Sequence, residues 1–91
     1  MPTKKNIAYR LKITRHALGF GDRRAEFARL LDMSPNTYRN AERGRNRLQP
    51  EVAAKMCRSC KLTMDWFYLG VIDGLPHDLA VAIQQLLDTG L

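Results

Sequence analysis

Eleven residues, Ser34-Pro35-Asn36-Thr37-Tyr38-Arg39-Asn40-Ala41-Glu42-Arg43-Gly44, constrain this chain more than any other stretch. A serine side chain accepts from the free N–H groups that open a helix. Proline suits the first helical position, where its missing N–H is not needed, and glycine suits the left-handed residue that ends a helix. The segment therefore reads as a helix over 35–43, about two and a half turns long. Tyr38 and Ala41 fall on one side of it. Asn36 and Asn40 are one turn apart, as are Arg39 and Arg43, and these four share the other side. Asn and Arg read base edges bidentately, and Arg also grips phosphate. A short capped helix with that face, followed by Arg45 and Arg47, has the chemistry of a recognition helix.

The rest of the chain is helical in pattern as well. Ile7, Leu11, Thr14 and Leu18 recur at helical spacing behind Asn6 or Thr3 as a cap, and Gly19-Phe20-Gly21 breaks that helix. Asp22 can cap a second helix with Ala25, Phe27, Ala28 and Leu31 at its apolar positions, and Asp32-Met33 turns into the helix above. Arg45 to Leu48 reads as a polar loop. Gln49-Pro50-Glu51 opens a fourth helix with Val52, Ala53, Met56 and Cys57 inward. Thr63 caps a short fifth helix containing Trp66 and Leu69 and ended by Gly70. Pro76 opens a last helix, 76–88, with Leu79, Ile83, Leu86 and Leu87 on one side. No repeat, low-complexity segment or dividing linker is visible. The expected architecture is all-α: one domain over 1–91, with a core at 7–70 and a C-terminal sixth helix.

Charge is distributed unevenly. All 15 Lys and Arg lie in residues 1–61 with five acids, a net charge of +10; residues 62–91 hold four acids and no Lys or Arg, a net −4. A basic body with an acidic end implies a polyanion partner for the first part only. At 45% hydrophobic and 26% charged, the chain should be globular rather than disordered. No run approaches the ~20 apolar residues of a membrane span. Lys4, Lys5, Arg10 and Lys12 interrupt any leader-like stretch. A cytoplasmic protein with no membrane partner is expected.

Cys57 and Cys60 form the one Cys-x-x-Cys. A structural zinc needs four ligands, and only His16 and His77 remain, both distant in sequence. A thioredoxin-like pair would follow a strand, and none precedes this one. Two small apolar residues on the inner side of a helix account for the pair. No base, nucleophile or phosphate loop is arranged for catalysis. No catalytic, cofactor or metal residue is expected.

Ala28, Asp32, Tyr38 and Ala41 have the spacing of the fixed points of a helix-turn-helix. Residues 25–31 and 38–44 around them resemble the Xre-type family of lambda-repressor-like DNA-binding domains, and so do 52–57, 62–70 with its Asp65-Trp66 pair, and Gly74-Leu75-Pro76 with the helix after it. The resemblance implies a five-helix domain with its third helix in the major groove, usually as a homodimer on a two-fold site. By position, Pro35, Asn36, Arg39 and Asn40 would face bases. Arg24, Ser34, Arg43, Arg45 and Arg47 would face phosphates. The family also pairs a basic residue near the end of its first helix with an acid of its third, which here would be Arg15 with Glu42. Arg24 replaces the family's usual Gln, Gly21-Asp22 lengthen the preceding loop, and Asp32 stands where Gly is usual. Ala41 is smaller than the residue normally found there, leaving Tyr38 or Trp66 to fill the space.

Two functions compete on this reading. One is a sequence-specific regulator of duplex DNA, most simply a repressor. The other is an antitoxin or interaction module with secondary autoregulatory DNA binding, whose protein partner would meet residues 62–91. At 91 residues the chain leaves no room for a separate effector domain, so small-molecule sensing is not expected. The apolar residues of 62–91 outnumber what a small core can enclose, which points to dimer contacts there. The rival is that the last helix folds back to complete the monomer core.

Overall fold

The computed structural model describes residues 3–90, so residues 1, 2 and 91 of the expected domain lie outside it. Six helices make up all the regular structure of the described residues: α1 Lys4–Ala17, α2 Arg24–Leu30, α3 Pro35–Glu42, α4 Pro50–Cys60, α5 Met64–Leu69 and α6 His77–Thr89. Their ends follow side-chain chemistry. The Thr3 hydroxyl accepts from Asn6 N at 3.1 Å, so Thr3 caps α1 and Asn6 lies within it. Ser34 accepts from Thr37 N and Thr63 from Trp66 N, both at 3.1 Å. Gly44 and Gly70 take positive φ, 76° and 74°, at the ends of α3 and α5.

α1 is the central strut, packed against α3, α5 and α6, while α2 lies on α3 and α4 on α5. Leu11, Ile13, Phe27, Tyr38, Met56, Trp66, Phe67 and Ile83 meet in the core. Two polar contacts fix α5 to α1. The Trp66 indole N–H donates to Thr14 Oγ1 at 2.8 Å, and Arg10 Nη1 donates to the Phe67 carbonyl at 2.9 Å. Phe27 stands edge-on to Tyr38 with ring centroids 5.5 Å apart, which joins α2 to α3.

Four expectations need correction. Asp22 does not cap α2. The Arg23 N–H closes a turn onto the Phe20 carbonyl at 2.7 Å, so Arg23 becomes the cap residue and the helix starts at Arg24. Ala25 is exposed, because α2 is only two turns long and packs through Phe27 and Ala28. The loop after α3 is not wholly polar, since Leu48 is buried. Two helix ends shift by one residue: α3 stops at Glu42 with Arg43 as its C-cap, and the last helix runs His77–Thr89 rather than 76–88, with Pro76 as its N-cap.

The acidic end is folded onto the rest. Ile83 is fully buried, and α6 lies along α1. The last helix therefore completes the core of the monomer, and Ile83 is not available to a partner. Leu69, Val71 and Val81 remain exposed.

Candidate nucleic-acid interface

The helix-turn-helix is α2, the turn Leu31–Ser34, and α3. The turn needs a left-handed residue, and Asp32 supplies it with φ 55°. The Asp32 carboxylate accepts from Lys55 Nζ of α4, which ties the turn to the helix behind it. Nothing in the spacing of residues 32 and 55 announces that pair; only the packing of α4 brings it about.

α3 is held from beneath by a buried ion pair. Arg15 Nε donates to Glu42 Oε2 at 3.0 Å and Arg15 Nη2 to Oε1 at 2.8 Å, a two-pronged contact between α1 and α3. Arg15 also donates to the Gly21 carbonyl, so the loop before α2 joins the same anchor. Its side chain is 1% exposed and that of Glu42 8%. Burial alone pushes the Glu42 carboxyl up. The hydrogen bonds from Arg15, with the Tyr38 hydroxyl beside it, outweigh this and hold it below the ordinary carboxylate value. Burial, then the Glu42 carboxylate, pushes the Tyr38 phenol well up, so it stays protonated.

With Tyr38 and Ala41 buried, a turn of 100° per residue fixes the rest of α3. Asn36 and Asn40 point outward, Asn36 exposed and Asn40 half-buried. On one flank Arg39 and Arg43 meet Arg24 of α2 around a notch of about 60 Å³ with Glu42 in its wall. Arg24 Nε lies 3.6 Å from Glu42 Oε1 and its side chain is 53% exposed, so the carboxylate steadies Arg24 without burying it. On the other flank Ser34 and Thr37 border a groove together with Arg45 and Arg47. The loop that carries those arginines is fastened to the end of α3: the Asn40 carbonyl accepts from Arg45 N at 3.0 Å and Asn46 N at 3.4 Å.

The structure thus gathers the candidate residues in three groups. Asn36 and Asn40 are on the outward ridge, Arg24, Arg39 and Arg43 around the notch on one side, and Ser34, Arg45 and Arg47 on the other, while Pro35 is exposed at the first position of α3, about 100° around the helix from Asn36. Arg15 and Glu42 lie beneath. That Arg24 shares Glu42 with Arg15 has no sign in the sequence, because residues 24 and 42 meet only through the crossing of α2 and α3.

A family model described as helix-turn-helix matches residues 20–67, from the loop before α2 into α5. The chain belongs to the Xre-type helix-turn-helix family. Its fold is the all-helical, lambda-repressor-like one, and it is that of a DNA-binding regulator. The match covers more than half of the chain and leaves α1 and α6 outside. No curated protein and no solved structure matches. Among the described residues no helix is long and apolar enough to cross a membrane, and no group of three His, Cys, Asp or Glu is placed to hold a metal ion. Burial raises the Cys57 and Cys60 thiols above their ordinary value.

Proposed function

We propose that this helix-turn-helix protein is a sequence-specific repressor that lays α3 in the major groove of duplex DNA. The observation that carries the reading is the placement of the asparagines between two arginine groups. A major groove is bordered by two phosphate strands and floored by base edges. Asn36 and Asn40 face the floor, with Pro35 in apolar contact and Arg39 reaching guanine from the side. Arg24 and Arg43 serve one strand. Ser34, Arg45 and Arg47 serve the other. The Arg15–Glu42 pair holds α3 at the angle this needs and keeps its one carboxylate turned to a buried guanidinium.

The protein acts as a homodimer on this reading, with recognition helices about 34 Å apart, one turn of DNA. Met64, Leu69, Val71 and Val81, each exposed in the part of the chain without Lys or Arg, support a contact there. The same exposed residues would serve a different protein partner in the antitoxin alternative.

Binding of fluorescent duplex DNA, titrated with salt, tests the proposal. Arg45→Ala and Arg47→Ala are each expected to weaken binding evenly across sequences. Each should lower the log–log salt slope by about 1 per lost phosphate contact, or about 2 in a dimer. An unchanged slope in both variants removes these two residues from the phosphate contacts.

A further inference from the structure

The groove beside α3 is more than a track for a phosphate strand. It has a volume of about 490 Å³, within the range of small-molecule sites. Its walls come from the turn, α3, the loop after α3, and the starts of α1 and α4. Its lining divides into two chemistries. Ala41 and Leu48 are buried there, and half-buried Met33 and Val52 extend the apolar surface. At the edge stand Lys4, Arg45 and Arg47, all exposed, and none makes an ion pair among the described residues. The one carboxylate in the wall, Asp32, is already taken by Lys55. The Ser34 hydroxyl is occupied at the head of α3, bonded to Thr37 N and to Thr37 Oγ1.

A phosphate strand alone would satisfy the cations and leave the exposed parts of Met33 and Val52 wet. We infer that the groove binds a small organic acid, a carboxylate or phosphate carried on an apolar body, and that this ligand competes with DNA. The apolar body lies on Met33 and Val52, over the floor that buried Leu48 and Ala41 form, and its acid group meets Arg45 and Arg47. The inference rests on the reading of those two arginines as phosphate contacts. A ligand that claims them removes one flank of the DNA interface. Linkage then requires that DNA weaken the ligand by the same factor as the ligand weakens DNA. The effector site is thereby built into the DNA-binding domain, with no second domain needed.

Anilinonaphthalene sulfonate, an aromatic acid that fluoresces when its body leaves water, is a suitable probe. The folded protein, its helicity checked by circular dichroism in each sample, should bind it saturably at one site per chain. The Arg45→Gln/Arg47→Gln double variant should lose the saturable signal by removing the charge. Val52→Phe should lose it by filling the groove, and duplex DNA should displace the dye. Inorganic sulfate at the dye's own concentration should not, since it has no apolar body. Signal that is absent, unsaturable or unchanged in both folded variants overturns the inference, and so does displacement by equal sulfate, which would mean the groove reads charge alone. Dye that remains bound when duplex DNA occupies Arg45 and Arg47 overturns the competition. DNA binding without saturable dye binding overturns the ligand site and leaves the repressor reading standing. Saturable dye binding in a protein that binds no duplex supports the ligand site alone and overturns both the competition and the repressor reading.

Discussion

Arg15 and Glu42 form a single buried pair that sets the position of α3. Two charges this deeply placed are costly to bury, and the two-pronged geometry with the extra bond to the Gly21 carbonyl is what offsets that cost. Removing one partner leaves the other charged and enclosed. Glu42→Ala is expected to destabilise the fold by about 3–5 kcal/mol, read as a lower urea midpoint. The pair also makes stability depend on acid. The folded Glu42 carboxyl titrates below its ordinary 4.5, so its contribution is fully present above that value and is lost as pH falls through the lower folded one. Glu42→Gln should therefore flatten the fall in urea midpoint below pH 4.5 relative to wild type. An acid limb of unchanged steepness would show that other carboxylates carry it. The pairing of residues 15 and 42 came from family likeness. Arg24, the third member, could not be found that way, since its approach to Glu42 depends on how α2 crosses α3.

At the scale of elements, what the sequence revealed were features carried by a few adjacent residues. Ser34 and Pro35 open α3, Thr63 opens α5, and Gly44 and Gly70 close their helices, each through local backbone chemistry. What it hid depended on tertiary placement. Asp22 has the right side chain for a cap but sits one residue early, because the turn over residues 20–23 delays the helix. Leu48 looks like a loop residue until the path of the chain between α3 and α4 turns it inward. The stripe of Ile7, Leu11, Thr14 and Leu18 describes one face of α1 and does not include the buried Ile13, because α1 is covered on several faces. The outward face of α3 was legible because Tyr38 and Ala41 fix its rotation; the two arginine flanks were not, since they draw on α2 and on a loop.

The last helix shows the same difference between pattern and packing. Its apolar side was visible, but whether it met a second copy or the body of its own chain was not. Ile83, buried against the rest of the fold, makes α6 part of the monomer. Ile83→Ala is expected to cost about 2–5 kcal/mol in stability, and Ile83→Asp to unfold the domain. A folded Ile83→Asp monomer by circular dichroism and sedimentation would contradict this packing. Cys57 and Cys60, on the last turn of α4, lie against the core and are expected to act as packing groups. Chelator should leave both helicity and DNA binding unchanged, and loss of either would assign the pair to a metal.

Across the whole molecule, charge and shape divide the work. The basic body presents α3 between two arginine groups, and the acidic end closes the core and leaves Leu69, Val71 and Val81 exposed. On the dimer proposal, Leu69→Glu should leave helicity intact and shift sedimentation from dimer to monomer. A wild type that sediments as a monomer without DNA at micromolar concentrations would remove the dimer in its simple form. On the repressor proposal Asn36 and Asn40 choose the sequence, and selection from a random pool of duplex DNA reads that choice. Wild type is expected to enrich one motif repeated about a two-fold axis. Asn36→Ala and Asn40→Ala should each bind that motif more weakly, by about 1–3 kcal/mol, and enrich a version relaxed at one base position per half-site. Enrichment of the identical motif by all three proteins, or of none by the wild type, would contradict the account.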